Sequence, residues 1–245
     1  MDWWIGIDDT DNLDGPGTGR RARQLGELLQ RRELGRLQQI TRHQLLVDER
    51  IPYTSHNSSA CLRVEAPAAA GEALQAACRE FLLRESAPEA DAGLCVAGGG
   101  QSPALLAHFG RRAKQCVLTM DAAYAAGRAC GVYLQGLTGT GGGVIGALAA
   151  VGLACGGEDG RFLWLPQLRG LKGRQPVGAL MQATGIAVVC TRDGRTAPAE
   201  AYVDVGDWFR PVLRGGKAVL FVEEVLDGTG EWRILAKETI KQFSE

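Results

Sequence analysis

Runs of apolar residues alternate with helix-spaced ones through the first hundred positions. Trp3–Ile7 is a short apolar run that ends in acids and predicts a strand. From Thr18 to about Leu34, apolar residues fall at Ala22, Leu25, Leu28 and Leu29, the spacing of one helix face. Ile40–Val47 and Ala60–Val64 predict a second and a third strand. Ala70–Glu85 carries Leu74, Ala77, Cys78, Phe81 and Leu82 at helical spacing, and Ala92–Ala97, closed by Gly98-Gly99-Gly100, predicts a fourth strand. The resulting order is β-α-β-β-α-β, a split βαβ or ferredoxin-like pattern.

Beyond Ser102 the pattern changes. Leu105–Gln115 and Asp121–Leu134 read as helices, and Val144–Leu153 as a small-residue helix behind a glycine loop. After Gly185 the chain turns β-like at Ile186–Cys190, Ala201–Val205, Ala218–Val225 and Trp232–Leu235, with Asp-Gly and Gly-Gly turns between. The expected class is α+β: a ferredoxin-like domain over 1–101, a helical region over 102–185, and a β-rich region over 186–245. No internal repeat is evident.

Composition adds three things. Glycine is abundant, 34 of 245 residues, which suggests loops that turn tightly or approach a ligand closely. Lys and Arg number 27 against 28 Asp and Glu, so the overall field is not that of a protein that grips nucleic acid by net charge, although a local basic face stays open. The seven cysteines are scattered without a C-x-x-C pair, which argues for reduced, packed thiols over a zinc site or disulfide framework. Neither a signal peptide nor a membrane-length apolar stretch is present, and the expected setting is cytoplasmic, with no membrane partner.

The most informative segment follows the first strand. Asp8, Asp9, Asp11 and Asp14 fall within seven residues, between an apolar strand and a helix. Carboxylates crowded this way repel unless a cation sits among them, and two on one face suit Mg²⁺ shared with substrate phosphates. An Asp-rich turn could also be solvated and structural. An EF-hand fails on spacing, because position six from Asp9 is Asp14 and position twelve is Arg20. An aspartyl-phosphate nucleophile would require an alternating β/α chain. Gly15, Gly17 and Gly19 flank Thr18 at the predicted helix start, where free amides and the positive dipole end favour an anion, and Arg20, Arg21 and Arg23 follow.

Gly6-Ile7-Asp8-Asp9-Thr10-Asp11 with the Gly-x-Gly-Thr helix start resembles the amino-terminal signature of the tRNA(Ile) 2-agmatinylcytidine synthetases. The stretches Ile51–Leu62 and Val144–Gly152 fit the same resemblance, which spans about residues 5–165. It implies ATP and Mg²⁺ as cofactors and a tRNA nucleoside as acceptor, with Asp8, Asp9 and Asp11 as metal and phosphate ligands and Thr18 handling the phosphoryl group. The family's basic pair before Ala60 is replaced by Thr54 and His56, its glycine–asparagine–glycine turn by Asn57-Ser58-Ser59, and the second threonine of its helix start by Gly19. Full-length members continue into an OB-fold and a zinc ribbon, so the chain reads as a shortened relative.

Gly141, Gly143 and Gly146 form a G-x-G-x-x-G that opens a helix but lacks the strand a dinucleotide fingerprint needs. Close packing and a second phosphate-binding helix start both remain open. His43, His56 and His108 lack metal-ligand spacing, and only His56 lies near the proposed chemistry. Arg169, Lys172 and Arg174 form a basic loop that solvation explains as well as a phosphate would. The leading expectation is an ATP- and Mg²⁺-dependent phosphotransferase or ligase-like enzyme, its acceptor a tRNA nucleoside or a small molecule. Asp8, Asp9, Asp11 and Thr18 would be its catalytic set, and Thr10, Gly17, Gly19, Arg20, His56, Asn57, Ser58, Ser59, Gly141, Gly142 and Gly143 its nucleotide contacts. The alternative is a non-catalytic nucleotide- or RNA-binding regulatory module that kept the fold.

Overall fold

The computed structural model describes residues 1–245 except 13, 14, 54, 55, 100, 226–229 and 245, with the backbone alone at 243 and 244. The chain divides into two compact units, Met1–Gly156 and Gly157–Glu245. These boundaries replace the ones expected near 101 and 185. The helices after residue 102 pack against the first sheet and against each other, so the chain does not separate where its composition changes.

The first unit runs β1 (Asp2–Asp8), α1 (Thr18–Arg31), β2 (Arg36–Gln44), β3 (Ser58–Glu65), α2 (Gly71–Glu85), β4 (Gly93–Gly98), α3 (Pro103–Ala113), α4 (Met120–Cys130), β5 (Tyr133–Gly136) and α5 (Val144–Gly156). Its strands lie in the order β5-β4-β1-β3-β2, each antiparallel to its neighbours. Odd residues of β1 face α1 and α2: Trp3, for instance, lies against Gly71, where a Cβ would come 2.7 Å from its ring. Even residues face α5. The helix expected over 121–134 ends at Cys130, because Gly131 takes a left-handed φ of +68° and turns the chain into β5. The strand expected over 40–47 lies earlier, over Arg36–Gln44.

Helix α5 explains part of the glycine excess. Its sequence VIGALAAVGLACG is apolar all round, and ten of its residues are buried. A Cβ on Gly6 would stand 2.0 Å from the Ala147 carbonyl oxygen, so α5 rests directly on β1. On its outer side, a Cβ on Gly152 would stand 2.0 Å from the Leu106 carbonyl of α3. The helix thus lies between a strand and a second helix with glycine at both contacts.

The second unit runs β6 (Arg161–Trp164), β7 (Arg174–Pro176), α6 (Val177–Thr184), β8 (Val188–Cys190), β9 (Tyr202–Asp204), β10 (Val212–Arg214), β11 (Lys217–Glu224), β12 (Trp232–Ile234) and α7 (Lys237–Ser244). Strand β11 organises it, pairing antiparallel with β10 and β12 and parallel with β8. Phe162, Val177, Leu180, Val203, Leu220 and Val222 fill its core. Arg174, from the basic loop noted above, pairs with Glu231 at 2.7 Å and stacks over Tyr202. Among the described residues, no helix is long and apolar enough to cross a membrane.

Candidate functional site

The acidic segment sits where three elements meet. Asp8 is the last residue of β1, opposite Gly93 at the start of β4. A Cβ on Gly93 would fall 2.1 Å from the Gly143 carbonyl carbon, and one on Gly146 would fall 1.7 Å from Oδ2 of Asp8. Glycines on both partners therefore let the loop before α5 close over the strand ends and bring the Asp8 carboxylate against the first turn of that helix. Asp9 follows with φ +51°, in the left-handed region that Asp and Asn tolerate better than most residues.

Thr18 opens α1 and is buried, as is Thr10. The Thr10 hydroxyl donates to Thr18 Oγ1 at 3.1 Å, and the Thr18 hydroxyl donates to Asp11 Oδ1 at 2.8 Å. Gly17 at the start of α1 makes no side-chain cap, and the Arg20 and Arg21 amides donate to its carbonyl at 2.8 and 3.4 Å. Thr10 therefore supports Thr18 from a fully buried position.

Two adjoining cavities surround these groups. One, of about 190 Å³, is lined by Asp8, Asp9 and Asp91, by Asn57 and the Gly142–Gly143 backbone, and by an apolar wall that includes Leu45, Ile51, Pro52, Val117, Leu118 and Ile145. The other, of about 40 Å³, is lined by Asp8, Asp9, Asp11, Thr18, Pro52, Tyr53, His56, Asn57 and Ser58. The structure thus places Asp8, Asp9, Asp11, Thr18, His56, Asn57 and Ser58 around these two cavities. Ser59 lies buried with its hydroxyl unpaired and lines neither cavity. Arg20 is exposed and away from both, Arg21 pairs with Glu85 at 3.1 Å, and Arg23 donates to the Gly19 carbonyl. The arginines after Thr18 thus serve the helix and its neighbour. Asp14 and Thr54 lie outside the described residues.

The glycine loop has a structural part. The amides of Gly141, Gly142 and Gly143 donate to the Thr138 carbonyl, Thr140 Oγ1 and the Asp91 carbonyl, and the next two amides donate back into the loop. With these donors engaged, close packing explains the loop better than a phosphate cradle. Asp91 is the residue the sequence reading missed. It accepts the Thr140 amide, and its charge reaches Asp9. Its signal was strand order: in an antiparallel β1–β4 pair, the residues leading into β4, Asp91 two positions before Gly93, come to lie beside the segment that follows β1. Arg42, whose Nε donates to Ser58 at 2.9 Å, and Arg50, paired with Asp48, are also new here.

Crowding and burial show in the carboxyls. Burial, followed by the charges of Asp9 and Asp11, pushes Asp8 up to about 8. Burial, followed by Asp91 and Asp11, pushes Asp9 up to about 6. The donors are hard oxygens, suited to Mg²⁺, and a divalent cation would relieve this repulsion. Among the described residues, no group of three or more His, Cys, Asp or Glu side chains is placed to hold a metal unaided, so phosphate oxygens would have to complete a shell. Both carboxyls hold their proton more tightly in the fold than at the ordinary 3.8, so the stability they contribute is present below pH 4 and lost as pH rises toward 8. Without metal, the melting temperature is expected to fall from pH 5 to pH 8. Thermal melts should show a flatter profile in Asp8→Asn and when Mg²⁺ is added.

No family model matches the sequence, nor does any curated protein. Solved structures do. A tRNA fluorescent labeling enzyme matches with 29% identity and a TM-score of 0.55, over 62% of this chain and 36% of that one. The complex of TiaS with an isoleucine tRNA and ATP matches with 28% identity and a TM-score of 0.55, again over 62% of this chain and 36% of that one. The fold over that part is TiaS-like. The complex of TiaS with the same tRNA, AMPCPP and agmatine agrees, with 28% identity, a TM-score of 0.54 and the same coverage. The chain spans about a third of the length of these TiaS proteins, and the matched share is close to that of its own first unit.

Proposed function

We propose that the protein uses ATP with Mg²⁺ in a phosphoryl-transfer or ligase-like reaction on an RNA nucleoside, tRNA being the favoured acceptor, with the chemistry at the end of β1. The observation that carries this reading is the convergence of Asp8, Asp9, Asp11 and Thr18 on one acidic cleft with an apolar wall. The likeness to TiaS proteins solved with ATP and an isoleucine tRNA supports it. Asp8 and Asp9 would hold the metal, which when bound neutralises phosphate charge. The apolar wall of Leu45, Ile51, Val117 and Ile145 offers a surface for a base. The Thr18–Asp11 hydrogen bond is the pairing of a hydroxyl with a base, and it poises Thr18 to receive or steer a phosphoryl group.

Thr18→Ala is expected to lower transfer from radiolabelled ATP about a hundredfold while ATP affinity changes little, and Thr18→Ser to restore most of the rate. Full activity in Thr18→Ala would remove that residue from the chemistry. ATP consumption assayed with and without tRNA tests the function itself, and the release of ADP or of AMP identifies the bond cleaved. The absence of both ATP binding and ATP turnover would overturn the proposal.

One observation favours the second reading, a nucleotide- or RNA-sensing module without turnover. Arg50 is the one Arg or Lys among the cavity-lining residues described, and it is paired with Asp48 at 2.7 Å. ATP binding without turnover, RNA present, would decide for the sensor. We also read β1–β4 with α1 and α2 as a ferredoxin-like unit, on the strand order β4-β1-β3-β2. The free cysteines, among them the buried Cys61, Cys78, Cys95, Cys130 and Cys190, support a reducing setting such as the cytoplasm.

A further inference from the structure

One buried polar atom beside the acidic cleft has no partner. Ser59 is 1% exposed, and among the described residues its hydroxyl makes no hydrogen bond. Groups of this kind are normally bonded, because a dry, unbonded hydroxyl costs free energy.

The register of three strands shows what lies next to it. In the β1–β3 pair Gly6 is opposite Cys61 and Ile7 opposite Ala60, so at the next step Asp8 comes opposite Ser59. In the β2–β3 pair His43 is opposite Ser59 and Thr41 opposite Cys61. Side chains two apart on a strand share a face, so Ser59 lies on the same side as Cys61, which packs in the cluster formed with α5. Asp8 points to that side as well, since a Cβ on Gly146 in the first turn of α5 would fall 1.7 Å from its Oδ2. Asp8, Ser59 and His43 therefore form a row across β1, β3 and β2, with the serine in the middle. On one side the His43 ring is tied through Nε2 to Thr41 Oγ1 at 2.8 Å. On the other side stands a carboxyl group that, once ionised, accepts hydrogen bonds at both oxygens. Directly opposite residues on neighbouring strands have Cβ atoms about 4.5–5.5 Å apart, within reach of one hydrogen bond from a hydroxyl to a carboxylate. Ser59 is in the lining of neither cavity, so it stands behind Asp8 and not beside a ligand.

We propose that Ser59 is a positioning residue: its hydroxyl donates to one oxygen of the Asp8 carboxylate and so aims the other into the cleft. The inference rests on the metal role proposed above for Asp8 and adds how that carboxylate is oriented. Groups hydrogen-bonded to a ligating carboxylate fix its direction, and their loss commonly weakens metal binding by about ten- to a hundredfold.

The test is calorimetric titration of ATP into the full chain, with and without Mg²⁺, beside thermal melts. Ser59→Ala is expected to weaken ATP binding about tenfold with Mg²⁺ and to leave it unchanged without metal. Its melting temperature without metal should equal or exceed that of the wild type, because the change deletes a hydroxyl that has no partner. A serine that served only the sheet would instead lower the melting temperature and leave the Mg²⁺ effect intact. Ser59→Thr, which keeps the hydroxyl, should restore the Mg²⁺-dependent affinity. In an Asp8→Asn background, Ser59→Ala should cost nothing further, since the two residues act as one unit. Wild-type affinity in Ser59→Ala would overturn the positioning role, as would an equal loss in both backgrounds or a folded Ser59→Thr no better than the alanine variant. In each of those cases Mg²⁺-dependent ATP binding by the wild type leaves the reading beneath it standing. Equal ATP binding by the wild type with and without Mg²⁺ would remove the metal role of Asp8, and this inference with it.

Discussion

Asp9→Asn is expected to lower Mg²⁺-dependent ATP affinity at least about thirtyfold, the loss that follows from removing one charged partner of a buried pairing. The same variant should melt at a higher temperature than the wild type when metal is absent. Asp9 is pushed up to about 6 by burial and by Asp91 and Asp11, so at pH 7.5 the wild-type fold carries an ionised carboxylate in an unfavourable place. Asparagine removes that charge, keeps the shape and tolerates the left-handed backbone at φ +51° at least as well. Opposite signs for stability and binding are the mark of a functional strain. Calorimetric titration of ATP with and without Mg²⁺, beside melting curves, reads both. A turn that was merely structural would lose stability in Asp9→Asn and show no Mg²⁺ effect.

Gly6→Ala is expected to cost about 3 kcal/mol or more in urea unfolding, a large effect for one methyl group. The added carbon would lie 2.0 Å from the Ala147 carbonyl oxygen and 2.9 Å from a methyl of Val151. The closest atom is backbone in the interior of α5, and Gly152 holds that helix against α3 on its far side, so neither partner can give way cheaply. Gly142→Ala serves as the control. Its nearest neighbour would be Thr140 Oγ1 at 3.4 Å and its φ is not positive, so it should change stability little. Equal effects at the two positions would contradict the close packing of α5 on β1.

Periodicity served well where one element faces one environment. β1, α1, α2 and α5 were legible because their apolar residues follow a single face or a continuous run, and the acidic loop announced itself by like charges that require a reason. Asp91 was hidden because nothing local marks it. It joins the site only through the pairing of β1 with β4, which is a property of register and not of neighbouring sequence. The arginines after Thr18 misled for the converse reason: their nearness in sequence to the acidic loop is genuine, but the turn of α1 sends Arg21 to Glu85 and leaves Arg20 in solvent. The glycines at 141–143 could not be read as packing or as phosphate cradle until the acceptors of their amides were known. In the second unit, β8, β9, β11 and β12 overlap the apolar runs expected at 186–190, 201–205, 218–225 and 232–235, whereas β7 and β10, three residues each, are too short to show a period.

The position of α5 in the chain has a consequence for the order in which the site is assembled. The four strands β1–β4 are complete by Gly98, yet the wall that closes over Asp8 comes from residues 142–146, and the helix behind it ends at Gly156. Its small, wholly apolar sequence has no amphipathic face and gains its stability from burial between β1 and α3. A growing chain therefore presents its crowded aspartates to water until α5 has emerged and docked, and the acidic cleft is the last part of the first unit to be finished. Repulsion among those carboxylates is small while water screens them, and it reaches full strength only on that final docking step, when a bound cation would stabilise the product most.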